Sequence, residues 1–360
     1  VTIYLLAGGG TAGHVNPLLA LADEIRDNQP GDEVLILGTN EGLEGRLVPE
    51  KNFELLTIPK LPFPRKLDWY SLKFPFRFQS SVKKIKRILK ERKVDVVVGF
   101  GGYAAAPAYM AAKKRLPIIV CEPNVLPGIA NKIGAKWAKA VAVAYEGTDL
   151  PNATYVGVPI RKEIFQDQVS KEVAAKEFGL DPKKPVLLVF GGSLGAKTIN
   201  DTVWEASKKI LDSGWQILQI TGAKWDAPGE ATKGHHVTKY VSKMAYAYSA
   251  ADLVLSRSGA SSVAEITALA KAAVYVPLPI GNGEQELNAS WAVDHGAAIL
   301  VKDEAFTPGW VGTSLLKMLQ DPDQIQQMRD AHRKATSAHD SSGASNLLAL
   351  VNQATSENHS

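Results

Sequence analysis

Short runs of aliphatic and β-branched residues recur along the chain and alternate with stretches of helical character. In the first half they cover residues 2–7, 33–37, 54–58, 95–100, 117–121 and 140–144. Apolar runs of this length predict strands covered by helices on both faces, so the first half reads as a parallel, doubly wound α/β sheet. Residues 156–161, with Gly157 and Pro159, read as a connector. The pattern restarts at 186–190 and continues through 215–221, 237–241, 253–256, 273–276 and 298–301, a second sheet of the same kind. Two such halves are expected to face each other across a cleft at the carboxyl ends of their strands, where a ligand belongs. Helical stretches follow near 322–336 and 344–353, and residues 355–360 are expected to be disordered. The expected domains are therefore residues 1–157, residues 158–335, and a helical tail, 336–360, able to pack back on the first domain.

Length supports that division, since 360 residues exceed one typical core of roughly 100 to 200. A composition of 45% hydrophobic and 22% charged residues is that of a globular enzyme and excludes fibre or disorder. The single cysteine, Cys121, cannot form an internal disulfide, which fits a reducing compartment. Residues 1–7 read directly as a strand, without the features of a signal peptide. The longest uncharged stretch, 96–112, falls short of the roughly 18 residues of a spanning helix and is interrupted by Gly99, Gly101, Gly102 and Pro107. Charge is uneven. Residues 60–93 hold twelve Lys and Arg against Asp68 and Glu91, a local net of +10, so the remainder stands near −6 within the total of +4.

The first strand runs into Gly8-Gly9-Gly10-Thr11-Ala12-Gly13-His14, then Pro17 and a helical run over 18–25. Glycines let a backbone approach a ligand, and the helix start beyond them offers unpaired N–H groups and a partial positive charge. The alternative is a tight turn with His14 as a solvated cap residue. Gly101-Gly102-Tyr103-Ala104 repeats the arrangement, and Gly191-Gly192-Ser193-Leu194-Gly195-Ala196 opens the second sheet. None ends in Gly-Lys-Ser/Thr, so these are not hydrolase phosphate loops. Gly8, Gly10 and Gly13 match dinucleotide spacing, yet no clear acidic residue closes the second strand, which disfavours nicotinamide. Farther on, 256–262 precede a helical stretch carrying Glu265, whose carboxylate could accept both hydroxyls of a ribose. A surface Glu near a helix start is the plain alternative.

The three glycine loops, Glu122 with Asn124 and Asn131, the stretch 256–265, and Gln285 with Asn288 together resemble the MurG family, across roughly residues 2–333. Those are bacterial N-acetylglucosaminyltransferases that convert lipid I to lipid II in peptidoglycan assembly. The resemblance implies two Rossmann-like domains in the GT-B arrangement, with UDP-N-acetylglucosamine held mainly by the second and undecaprenyl-linked lipid I by the first. Ser193 and the amides around Gly192 and Gly195 would hold the diphosphate. Glu265 would bind the ribose, and Gln285, Asn288 and Asn124 would bind the sugar. Thr11, Gly13 and Arg161 would also lie near the donor, with a salt-bridged hinge role for Arg161 left open. Gly10, Ala12, Gly102, Tyr103, Glu122 and Asn131 would form the acceptor-diphosphate site and its loop. His14 would take the proton from the acceptor 4-hydroxyl or orient it, giving a β-1,4 bond with inversion.

No cofactor or metal is expected. The one Asp-X-Asp triplet, 321–323, reads as a helix start, and the histidines lack ligand spacing. The chain departs from the family pattern at Cys121 and Pro123, at Leu194 and at Glu284, with Cys121 read as a small buried hydrophobe. Trp69, Phe74 and Phe76 among Lys73, Arg77, Lys83 and Lys84 are expected to contact anionic inner-leaflet lipids, placing the protein peripherally on the cytoplasmic membrane face. No nucleic-acid motif accompanies that charge, and cell-wall synthesis or division proteins are possible partners by the resemblance. Three other readings stay open: a UDP-N-acetylglucosamine 2-epimerase, a UDP-sugar transferase for another lipid or small natural-product acceptor, and a catalytically silent sugar-nucleotide-binding adaptor.

Overall fold

The computed structural model describes the chain apart from residues 65, 67, 68, 193, 194, 281, 337–341 and 357–360. It forms two compact units, Val1–Arg161 with Ser341–Ser360, and Lys162–Asp340. The division thus falls after Arg161, a few residues beyond the boundary expected at 157.

The first unit is a seven-stranded parallel sheet: β1 (Ile3–Ala7), β2 (Glu33–Gly38), β3 (Glu54–Thr57), β4 (Val96–Gly99), β5 (Ile118–Glu122), β6 (Ala140–Val143) and β7 (Ala153–Tyr155). Their order, β3-β2-β1-β4-β5-β6-β7, reverses direction at β1 and β4. Both faces are apolar because alternate side chains point opposite ways. Leu5 and Ala7 enter a core with Val82, Ile85 and Ala108, whereas Tyr4 and Leu6 enter one with Leu18, Leu21 and Ile25. The helix Gly343–Ser356 completes the second core, burying Leu347, Leu348 and Val351. Each such aliphatic side chain contributes about 1.5–3 kcal/mol. Its helical course through Thr355 and Ser356 corrects the expectation of disorder there. Helix propensity alone is marginal over so short a stretch, and packing decides it.

Two prolines also corrected the reading. The first helix spans Ala12–Asn28 with Pro17 inside it, so His14 lies in its first turn rather than in a loop before it. Trp69–Glu91 is likewise one helix with Pro75 inside it, so the aromatic segment and the basic stretch after it form a single element. Proline removes one N–H donor, a cost that burial of Val82, Ile85 and Leu89 offsets.

The second unit is a six-stranded parallel sheet, β8 (Val186–Phe190), β9 (Gln216–Ile220), β10 (His235–Thr238), β11 (Leu253–Ser256), β12 (Ala272–Tyr275) and β13 (Ala298–Leu300). The order β10-β9-β8-β11-β12-β13 reverses at β8 and β11. Strand β10 begins two residues before the expected 237 because the buried side chain there is His235, which an apolar pattern does not flag. Open parallel sheets bind ligands beyond the carboxyl ends of the strands where the order reverses. In this chain those ends carry the loops after β1, β4, β8 and β11.

Candidate active site

In the first unit, the loop after β1 is fixed from beneath by a carboxylate. Glu44, 1% exposed, accepts the Gly10 amide at 2.9 Å on Oε2, and the Thr39 amide and hydroxyl at 2.9 and 2.8 Å on Oε1. The Gly10 N–H is thereby engaged within the protein. Gly10 has φ +94°, and a Cβ there would meet the Tyr103 ring at 3.1 Å. The two glycine loops touch, since a Cβ on Gly102 would lie 2.3 Å from the Gly9 carbonyl oxygen. Lys60 Nζ sits 5.4 Å from the centre of the Tyr103 ring.

Thr11 is the N-cap of the helix Ala12–Asn28, but its hydroxyl makes no capping bond and lies 3.3 Å from His14 Nδ1. With Nδ1–H donating to that hydroxyl, the basic lone pair of the imidazole is on Nε2. The Nε2 edge lies against Gly101, where a Cβ would stand 3.1 Å away. Ala12 and Gly13 open the helix, and Gly102 and Tyr103 open the helix Gly102–Ala112, whose N-cap Gly101 provides no side-chain acceptor.

Glu122 ends β5 at 1% exposure. Its Oε1 accepts from the Asn124 amide and Nδ2 at 3.0 and 3.1 Å; its Oε2 accepts from the Gly128 amide and Asn131 Nδ2, both at 2.9 Å. Asn131 also donates to the Cys121 carbonyl and accepts from the Tyr109 hydroxyl at 2.8 Å. Glu122 and Asn131 therefore shape the loop. Burial, with the Glu122 charge beside it, pushes the Cys121 thiol well up, as suits a packed and unreactive side chain.

In the second unit, Gly192 and Gly195 have φ of +79° and +78°. A Cβ on Gly195 would lie 2.2 Å from the Thr221 carbonyl oxygen, which already accepts from Asn200 Nδ2 at 2.9 Å. Ser193 and Leu194 lie outside the described residues. The helix Lys197–Asp212 follows, its N-cap Ala196 having no side chain to occupy the first amides. After β11, the helix Ala260–Ala268 carries Glu265, 5% exposed, which accepts from the buried Tyr248 hydroxyl at 2.9 Å. Sequence reasoning missed two groups here. The Ser258 and Ser261 hydroxyls are buried without a hydrogen-bond partner among the described residues. Asn288, 1% exposed, donates to the Ser258 carbonyl at 3.4 Å, and Gln285 accepts the Leu278 amide at 3.0 Å. Glu284 accepts the Asn282 amide at 3.3 Å. Arg161, partly buried, ends the first unit.

Residues 4–143 match the Glycosyltransferase family 28 N-terminal domain and residues 186–342 the corresponding C-terminal domain. The chain belongs to glycosyltransferase family 28. A relative from Clavibacter michiganensis subsp. michiganensis is 48% identical over 98% of this chain and 97% of its own length. It is named UDP-N-acetylglucosamine–N-acetylmuramyl-(pentapeptide) pyrophosphoryl-undecaprenol N-acetylglucosamine transferase. The crystal structure of Acinetobacter baumannii MurG, 30% identical, matches 93% of this chain and 95% of that one at a TM-score of 0.70. The resemblance to MurG read from the motifs is therefore borne out, as are the paired doubly wound domains. S. aureus MnaA in its structure with UDP, 11% identical, reaches a TM-score of 0.70 over 97% of this chain, which speaks for the fold alone. Among the described residues of this family 28 chain, no three His, Cys, Asp or Glu side chains group as metal ligands, and no helix is long and apolar enough to cross a membrane.

Proposed function

We propose that this chain transfers N-acetylglucosamine from UDP-N-acetylglucosamine to the 4-hydroxyl of the N-acetylmuramoyl-pentapeptide carried by undecaprenyl diphosphate. The observation that carries this reading is the 48% identity, over nearly the whole chain, to relatives named for that reaction. His14 Nε2 takes the proton from the acceptor hydroxyl as that oxygen attacks the anomeric carbon, and UDP leaves from the opposite face. The anomeric configuration inverts in one displacement. Thr11 holds the imidazole through Nδ1.

In this reading the second unit holds the donor. Glu265 receives the ribose hydroxyls, and the uncapped start of the helix Lys197–Asp212 meets the diphosphate with N–H groups and its partial positive charge. The unpartnered Ser258 and Ser261 hydroxyls support a polar ligand at the start of the helix Ala260–Ala268. Gln285 and Asn288 are assigned to the sugar, although their side chains also bond within the protein. Amides and hydroxyls donate hydrogen bonds to the departing diphosphate, and no divalent cation is required.

The membrane assignment rests on the helix Trp69–Glu91. Trp69 and Phe76 are 74% and 79% exposed, and Leu72 is exposed beside them, whereas Phe74 packs with Phe63 and Phe78. Lys73 lies against the Trp69 ring and Arg77 against Tyr70, which leaves cations and aromatics at one level, as a headgroup region accommodates. The protein accordingly works peripherally on the cytoplasmic membrane face. The test is incubation of purified protein with labelled UDP-N-acetylglucosamine and a short-chain lipid I analogue, with and without excess chelator. Disaccharide product and free UDP under both conditions are expected. Absence of product refutes the transferase reading, and product that needs added magnesium or manganese refutes the metal-free one.

A further inference from the structure

One buried ion pair in the second unit links two of the loops just described. Arg257, the first residue after β11, is 8% exposed and directs Nη1 to the Val276 and Pro277 carbonyl oxygens at 3.0 and 2.8 Å and to Asp303 Oδ1 at 2.5 Å. The other carboxylate oxygen of Asp303 accepts from the Thr198 hydroxyl at 3.0 Å. Thr198 stands in the first turn of the helix Lys197–Asp212, directly after the glycine loop 191–196. One carboxylate thus joins the carboxyl ends of β11 and β12, through Arg257, to the helix start. A second tie, Thr202 Oγ1 to the Phe306 carbonyl at 3.2 Å, runs from the next turn of that helix to the same segment after β13.

We infer that Asp303 is a positioning residue for the nucleotide-sugar: it sets the start of the helix Lys197–Asp212, and through it the diphosphate site, relative to the loop that opens the helix Ala260–Ala268. The inference rests on the donor reading above. Electrostatics alone would make Asp303 unfavourable, since a carboxylate near a diphosphate repels it. Arg257 cancels that charge locally, so the pair supplies geometry without opposing the helix amides. Hydrogen bonds to charged, buried groups are the strong ones, and loss of the Asp303 bridge frees the helix start while Arg257 keeps its two carbonyl partners.

The two roles predict opposite signs. If Asp303 acts only as a charge, Asp303→Ala and Asp303→Asn both leave Arg257 uncompensated and both bind UDP more tightly. If it positions, Asp303→Ala weakens UDP about tenfold by calorimetry while uridine, which lacks the diphosphate, changes less than about twofold. Asp303→Asn, able to accept from Arg257 and to donate to the Thr198 hydroxyl, restores most of the UDP affinity. Thr198→Val, which removes only one end of the bridge, weakens UDP in the same selective way and serves as the readout should Asp303→Ala not fold. Unchanged or tighter UDP binding, or equal losses for UDP and uridine, overturns the inference. A parent protein that binds neither ligand refutes the donor reading instead.

Discussion

Glu265 and His14 divide the proposed chemistry between nucleotide and acceptor, and their surroundings set what each substitution should do. Glu265 is buried at the second turn of its helix with Tyr248 on one oxygen, so a ribose would find an oriented carboxylate. Charge-assisted bonds contribute about 1.5–3 kcal/mol, so Glu265→Ala should weaken UDP roughly ten- to a hundredfold in calorimetry. Retained affinity would remove Glu265 from the donor site. His14→Ala should instead lower kcat by about 10²- to 10⁴-fold with little change in UDP affinity, because its proposed work is on the acceptor hydroxyl. A variant keeping most of its kcat would leave His14 as part of the turn. Both residues were legible in the sequence because each is a polar side chain in the helix that follows a strand and a glycine turn, His14 directly after Gly13 and Glu265 in the helix after Gly259. Glu44 was not, because its role depends on chain reversal bringing the start of a later helix under Gly10. Asp303 was hidden for the same reason, more than a hundred residues from Thr198.

At the scale of elements, buried strands read well from sequence because both faces are apolar, and their observed limits stay within a residue or two of the expected ones except at β10. The short β7 was absent from the reading. Its residues are exposed, so no apolar run marks it. Helices crossing Pro17 and Pro75 were obscured by local rules that tertiary packing overrides. The helix Trp69–Glu91 also gives the element its own test. Lys73 and Lys83 project from it exposed, whereas Lys84 donates to the Thr57 carbonyl at 2.7 Å. Each Lys or Arg near an anionic surface contributes about 1 kcal/mol, so a Lys73, Arg77, Lys83 and Lys84 to Glu variant should lose salt-sensitive sedimentation with anionic vesicles. Neutral vesicles should bind both proteins weakly. Equal sedimentation of parent and variant at low salt would move the membrane contact to another surface.

For the whole molecule, the placement of histidines predicts that the two units respond differently to acid. The second unit buries two neutral histidines. Burial, reinforced for His235 by the neighbouring His236, holds His235 at about 4, and burial likewise holds His332 at about 4 against an ordinary 6.5. His235 Nε2 lies 2.8 Å from Gln219 Oε1, and Gln219 in turn donates to the Asn200 carbonyl of the helix that follows the glycine loop. His332 Nδ1 lies 2.7 Å from the Lys271 carbonyl, in the neutral form donating to it. Among the described residues of the first unit, His14 is the one histidine. Unfolding lets the buried pair take up protons once the pH is below about 6.5, while the folded unit resists until about 4. Their contribution is therefore complete above 6.5 and is lost as pH falls through that window. With both histidines protonated in the unfolded chain only, stability falls by about 2.7 kcal/mol per pH unit. Hydrogen exchange followed by mass spectrometry at pH 7 and pH 5 should accordingly show the helices and strands of the second unit losing protection first. His235→Gln should reduce the pH slope of its unfolding free energy in urea, since one of the histidines that burial holds below the ordinary value is gone while His236 and His332 remain. Protection lost equally in both units, or a slope unchanged by His235→Gln, would mean that other groups control acid unfolding.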